Sequence, residues 1–85
     1  MGSRGKARVW PQHSAAYIDL AEKLRQWRRD AGLSQSALAK KLRVPESWVG
    51  KCERRDRRID PVEFVRWCKA CGVDPSAAIK AIGAV

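Results

Sequence analysis

The feature that most constrains the fold is the separation of two short helical segments by only two residues. Apolar residues at helical spacing, after a serine that can cap a helix, predict a helix over about residues 34–42. A proline costs little near the start of a helix, so Pro45 favours a second helix over about residues 45–54. The link, Arg43 and Val44, is too short for an extended antiparallel hairpin unless the helices cross steeply. The two segments are therefore predicted to form a helix-turn-helix.

Three further helices are predicted around this pair. Apolar residues recur at three- and four-residue intervals from Ser14 onward, and Gly32 stands where a left-handed residue would end that helix. A helix over about residues 61–71 begins with an aspartate cap, a proline and a glutamate that can reach back to the free amides. Gly72 ends it, and an Asp-Pro pair opens the last helix, over about residues 75–82. The sequence shows no strand-like alternation.

Length and composition indicate one compact domain. The chain has 85 residues, of which 45% are hydrophobic and 32% charged, and this is a globular composition. Residues 1–13 differ because they contain three cations (Arg4, Lys6 and Arg8), no acid and no apolar periodicity. We therefore expect an all-α fold, a compact five-helix helix-turn-helix domain over residues 14–85 that follows a flexible basic arm.

Positive charge dominates the chain and is concentrated in one region. Eighteen Lys and Arg against nine Asp and Glu give a formal net charge of +9, which favours a polyanionic partner. Residues 40–58 contain eight cations and three acids, and five of the cations lie at or beyond the end of the helix over residues 45–54. A helix lying in a DNA groove would bring such cations beside the flanking phosphates. The alternative is a solvated charged turn at a helix C-terminus.

Several other classes of protein are disfavoured. No apolar run is long enough to cross a bilayer, no secretory leader is recognisable, and three cysteines agree with a reducing cytoplasm. The spacing of Cys68 and Cys71 suits metal binding or thiol exchange in other contexts. Because only Cys52 and His13 could supply further ligands, we expect these cysteines to pack in the core and expect no metal or cofactor. No set of catalytic residues is recognisable, so an enzyme is not expected.

The stretch AGLSQSALAKKLRVPESWVGKCERRDRRI, followed by EFVRWCKACGVD, resembles the XRE/Cro-like helix-turn-helix proteins of phages and bacteria. The resemblance extends from about Leu20 to Pro75. It rests on several separated features, including GLSQ at the entry to the first helix of the pair, Val44 in the turn and Glu53 near the end of the second helix. It implies a lambda-repressor-like fold that binds double-stranded DNA, with residues 45–54 as the recognition helix in the major groove.

The resemblance also implies roles for individual residues. The residues matched to base contacts are Glu46, Ser47, Trp48 and Lys51. The residues expected at the DNA backbone are Gln35, Arg43, Arg54, Arg55, Arg57 and Arg58, together with Arg4, Lys6 and Arg8 of the arm. Arg28 and Glu53 match a pair that bridges the first and third helices in many relatives, and this pair would be structural.

Four positions depart from the usual pattern of these proteins. Glu46 either accepts a hydrogen bond from cytosine or only stabilises the helix dipole. Trp48 is large for a groove-facing residue, and it either contacts a thymine methyl or turns inward to the core. Gly50 weakens the recognition helix and is expected to allow a close approach of its backbone to DNA. Arg55 stands where relatives often have Gly, so the helix is expected to lack a left-handed cap and to run longer.

The predicted function is that of a sequence-specific transcriptional regulator in the cytoplasm. We expect a homodimeric repressor that binds a palindromic operator and occludes a promoter, with its own promoter as one candidate. Ile79, Ile82 and Val85 of the last helix are the expected dimer interface, and simple packing onto the first helix is the alternative for these residues. The alternative function is an antitoxin-like or controller-type module whose last helix binds a partner protein. Neither a membrane nor a small-molecule ligand is expected.

Overall fold

Five α-helices joined by short turns form residues 14–82, the part of the chain that the computed structural model describes. They are α1 (Ala15–Asp30), α2 (Gln35–Leu42), α3 (Glu46–Glu53), α4 (Pro61–Ala70) and α5 (Pro75–Ala81). These residues contain no strand, so the all-α prediction is confirmed. None of the five helices is long and apolar enough to cross a membrane. The arm over residues 1–13 and the predicted interface residue Val85 lie outside the described residues.

The helices begin where the capping signals in the sequence predict. Asp60 and Glu63 form a reciprocal capping box at the start of α4. The Asp60 carboxylate accepts from Glu63 N at 2.8 Å, and the Glu63 carboxylate accepts from Asp60 N at 2.9 Å. Ser34 caps α2 by accepting from Ala37 N at 3.0 Å. The glycines predicted to follow α1 and α4 both have a φ of 74°. Local side-chain chemistry therefore accounts for most of the helix boundaries.

The boundaries of α3 differ from the prediction in two ways. Pro45 is the N-cap residue, and α3 begins one residue later. At the other end Arg55 itself takes the left-handed conformation, with a φ of 66°, although it is not glycine. Its neighbour Asp56 donates a backbone hydrogen bond to Lys51 O at 2.8 Å, which completes a Schellman motif and satisfies an open carbonyl. Because this motif closes α3 at Glu53, the prediction of a longer helix is wrong.

The core lies between α1, α2, α3 and α4 and is built around Trp67. This residue is fully buried, and its indole Nε1 donates to Leu24 O at 3.1 Å, which ties α4 to α1. Leu38 of α2 and Val49 of α3 are also fully buried. Burial of side chains of this size stabilises a fold by about 1.5–3 kcal/mol each. The inner face of α3 is therefore fixed against the rest of the domain.

The three cysteines are core residues. Cys52, Cys68 and Cys71 are buried and carry free thiols. Burial raises the pKa of all three, that of Cys71 to about 11. Within residues 14–82 no group of three or more His, Cys, Asp and Glu side chains is placed to hold a metal ion. The thiols therefore contribute packing, and they are weak nucleophiles at neutral pH.

Candidate nucleic-acid interface

Helix α3 has one buried and one exposed face. Val49, Cys52 and Glu53 are buried against the domain. Ser47 and Lys51 are exposed, and residues four apart lie on the same side of a helix. The structure thus brings two of the four predicted base-contacting residues together on the outward side of α3.

The other two predicted base-contacting residues have different surroundings. Glu46 is exposed in the first turn of α3, where the helix dipole favours a carboxylate. Trp48 is half-buried and packs on Trp67, with the two ring centroids 6.1 Å apart. Its indole is thus turned toward the core, as in the second of the two alternatives that the sequence leaves open. The base contacts of Glu46 and Trp48 stay predictions.

Glu53 joins three helices beneath the exposed face of α3. Its fully buried carboxylate accepts from Arg28 Nε at 2.6 Å and from Arg28 Nη2 at 3.0 Å. Gln35 Nε2 also donates to Glu53 Oε1 at 3.0 Å, and Arg25 Nε lies 3.6 Å from the same oxygen. Burial alone would raise the pKa of Glu53, but the hydrogen bonds from Arg28 and Gln35 and the charges of both arginines outweigh burial and lower it. The ion pair implied by the resemblance is thus present, and it links α1 to α3.

Gln35 and Gly50 lie at the contact between α2 and α3. Gln35 Nε2 is engaged with Glu53, and sequence reasoning missed this bond because the two residues are 18 apart in sequence. Gly50 is buried, and a Cβ atom at this position would lie 2.9 Å from Arg54 Nη1 and 3.6 Å from Gln35 Oε1. Within the protein, the close approach that Gly50 allows is therefore to these two side chains, and its approach to DNA stays a prediction. The DNA-backbone contact of Gln35 stays a prediction.

The arginines expected at the DNA backbone differ in how they are engaged within the protein. Arg43 is exposed in the turn between α2 and α3, with a left-handed φ of 59°. Arg54 is exposed, and its Nε lies 3.0 Å from Asp56 Oδ2 in an ion pair. Arg58 is exposed and lies over the ring of a tyrosine of α1, with 4.9 Å from its Cζ to the centroid. Arg55 is half-buried beside them. Their contacts with DNA stay predictions.

Arg57 is held by several groups at once. Its Nη1 donates to Glu63 Oε1 at 3.1 Å and to Arg58 O at 2.9 Å. Its Cζ lies 4.8 Å from the centroid of the Trp48 ring, which is a cation–π contact. The hydrogen bond to Glu63 raises the pKa of Arg57. Sequence reasoning missed these partners, although an acid six residues further along was visible as a candidate.

A separate apolar groove lies beside α5. It has a volume of about 430 Å³, and its lining includes Leu20, Ile59, Phe64, Val65, Ile79 and Ile82. Ile79 is 56% exposed, and Ile82 is half-buried. Because Leu20 belongs to α1, the groove joins the surface of α5 to that of α1. The role of Ile79 and Ile82 in a dimer stays a prediction.

Comparisons with known proteins agree with this arrangement. Residues 19–78 match the family described as helix-turn-helix domain. A solved structure, that of an XRE-family like protein from Pseudomonas syringae pv. tomato str. DC3000, is 35% identical in sequence. The match covers 94% of this chain and 93% of that chain, with a TM-score of 0.79. A search of curated proteins gives no match.

The fold, the exposed face of α3 and these matches define the general class of DNA-binding regulators, which are typically not enzymes. The chain belongs to the XRE-type helix-turn-helix family.

Proposed function

We propose that this protein is a homodimeric transcriptional repressor that binds a palindromic operator and occludes a promoter. The observation that carries the proposal is the outward side of α3, where Ser47 and Lys51 are exposed above a buried ion pair that fixes the helix. A helix fixed before binding loses little conformational freedom in the complex, which favours affinity. One such domain reads a half-site of a few base pairs, so two copies would read half-sites about 34 Å apart.

Different residues serve base recognition and backbone contact in this proposal. Lys51 donates to the O6 and N7 acceptors of guanine, and the Ser47 hydroxyl can donate or accept at a base edge. Glu46 accepts from cytosine N4 or only stabilises α3. Trp48 adds apolar contact at the edge of the recognition face. The residues proposed at the DNA backbone are Gln35, Arg43, Arg54, Arg55 and Arg58, with Arg4, Lys6 and Arg8 of the arm.

The dimer is proposed to form through the groove beside α5. Ile79 and Ile82 line this groove, and Val85 follows them in sequence. An exposed isoleucine within a mainly apolar groove favours a protein partner, and a second copy would bury the same surface on both subunits. The same groove also supports the alternative function, an antitoxin-like or controller module that binds a different protein. Sedimentation of the purified chain distinguishes these functions, because only the first predicts a dimer without another component.

Selection of bound duplexes from a random DNA library, at about 150 mM salt, tests the proposed function. We expect enrichment of an inverted repeat, with half-sites about one helical turn apart. Lys51→Ala should lose or change the enriched sequence. Lys69→Ala is the matched control, because it also removes an exposed cation, here from α4 and not from the proposed recognition helix. Equal loss in both variants, or no enriched sequence with the native chain, would contradict specific recognition by α3.

A further inference from the structure

Arg57 connects the recognition helix to α4 through side-chain contacts that are independent of DNA. Its guanidinium donates to Glu63 Oε1 at 3.1 Å and to Glu63 Oε2 at 3.5 Å, so the two planar groups face each other as a fork. The same guanidinium lies 4.8 Å from the centre of the Trp48 ring. Arg57 is thus placed between a carboxylate of α4 and an aromatic ring of α3.

Glu63 is fixed on its own side by the start of α4. Its Oε1 accepts from Asp60 N at 2.9 Å in the capping box and also accepts from Arg57. The side chains of Glu63 and Arg57 are 26% and 35% exposed, so water screens the pair only in part. The capping box therefore holds the carboxylate in place, and the carboxylate holds the guanidinium.

The buried part of Trp48 packs against the core. Its ring packs on Trp67, and a small cavity beside it is lined by Leu42, Val44 and Arg66 together with Glu63. Arg66 is itself fixed, because its Nη2 donates to Leu42 O at 2.9 Å. A shift of the indole away from Trp67 would disturb its contact with Arg57.

These contacts make Arg57 a poor phosphate ligand. A phosphate that approached the Nη groups would compete for donors that Glu63 and Arg58 O engage, and the negative charge of Glu63 would repel it. We infer that Arg57 and Glu63 are positioning residues, whose ion pair holds the Trp48 indole and thereby sets the orientation of α3 that determines operator specificity. This inference rests on the proposed function for its readout in DNA binding, and it reassigns Arg57 from the residues first expected at the DNA backbone.

Three variants separate positioning from phosphate contact. Arg57→Lys keeps the positive charge but loses the bidentate fork and the planar stacking surface. Arg57→Ala removes both. Glu63→Gln removes the carboxylate charge but keeps an acceptor for the capping box. Lys69→Ala and Asp30→Asn are the controls, because each removes one exposed charge of the same sign elsewhere.

The measurement is the affinity of each variant for two duplexes, one carrying the sequence selected by the native protein and one with that sequence scrambled, at several salt concentrations. We expect Arg57→Lys, Arg57→Ala and Glu63→Gln each to reduce discrimination between the duplexes by at least about threefold, with an unchanged salt slope. Glu63→Gln is the sharpest case, because loss of a negative charge would otherwise strengthen binding to both duplexes.

Two results would overturn the inference. If Arg57→Lys binds like the native protein and Arg57→Ala lowers the salt slope by about one, then Arg57 contacts a phosphate. If the three variants discriminate as well as the two controls, the ion pair does not set specificity.

A measurement without DNA keeps this inference distinct from the proposed function. Because Arg57 lies over the Trp48 ring, its side-chain protons should resonate upfield of those of an exposed arginine in the NMR spectrum. Trp48→Phe should reduce this displacement, and Glu63→Gln should move it toward the value of a free side chain. Ordinary arginine chemical shifts in the native protein would refute the positioning role of Arg57 even if the protein binds its operator. The reverse result, a displaced Arg57 in a protein that does not discriminate between duplexes, would refute the proposed function and the link to specificity, but it would leave the contact of Arg57 with Trp48 established.

Discussion

Replacement of Glu53 by Gln should destabilise the whole domain strongly. The change leaves the Arg28 guanidinium buried with no counter-charge, and it puts an amide donor where the carboxylate accepts from Arg28 and Gln35. Breaking a buried pair by removal of one partner costs about 3–5 kcal/mol. A domain of this size is stable by roughly 4–13 kcal/mol, at 0.05–0.15 kcal/mol per residue. The single substitution would thus remove a large share of the total stability.

Urea unfolding followed by tryptophan fluorescence measures this loss directly. We expect the free energy of unfolding to fall by at least about 3 kcal/mol and the melting temperature to fall by more than about 10 °C. Arg54→Ala is the control, because it breaks an ion pair whose side chains are both 57% exposed. Exposed pairs contribute only about 0–1 kcal/mol. If Glu53→Gln costs less than about 1 kcal/mol, the buried carboxylate does not organise α1, α2 and α3.

Three further results are expected. The pKa of Glu53 is lowered in the folded protein, so its stabilising effect is complete above its unfolded pKa of about 4.3 and is lost as the pH falls through its folded pKa. Lowering the pH through this range should therefore reduce the free energy of unfolding of the native protein more than that of the Glu53→Gln variant. Burial raises the pKa of Cys71 to about 11, and all three thiols are buried. In mass spectrometry they should therefore resist iodoacetamide at pH 8 in the folded protein and react fully in urea. Rapid labelling of the folded protein would contradict their burial. Ile79→Asp should raise the dissociation constant of a dimer formed through the α5 groove by at least tenfold in sedimentation. Val62→Asp is the control and should not change it, because Val62 is exposed on α4 outside the groove lining. Equal effects would argue against the groove as the interface.

The sequence predicts the helices well because their boundaries depend on neighbouring residues. The Asp60–Glu63 capping box depends only on two residues three positions apart. The end of α4 depends on Gly72, which can adopt a positive φ because it has no side chain. The end of α3 is harder to predict, because Arg55 adopts a left-handed conformation that arginine disfavours in isolation. Backbone bonds that close the Schellman motif offset this preference, and no side-chain pattern in the sequence reveals them.

The exposed side of the candidate site is also predictable, because helical spacing alone places Ser47 beside Lys51. The contacts on the inward side of the site are not predictable in this way, since they depend on residues that are distant in sequence. Gln35 bonds to Glu53 across 18 positions, and Trp48 meets Trp67 across the core. A pattern of residue types gives no distance between such groups. The family resemblance predicted the Arg28–Glu53 ion pair, but it did not predict the hydrogen bond that Gln35 donates to Glu53.

Charge counting overstates how many cations are available to DNA. Residues 40–58 contain eight basic side chains, which the sequence presents as one cluster. In the fold, Arg54 pairs with Asp56, and Arg57 pairs with Glu63 from outside that segment. The first pair is exposed and can exchange its carboxylate for a phosphate at little cost. The second is tied to a capping box and an aromatic ring, so exchange there would also disturb α3 and α4. We therefore predict different functions for these two arginines, because only Arg57 is held by both a capping-box carboxylate and an aromatic ring of the recognition helix.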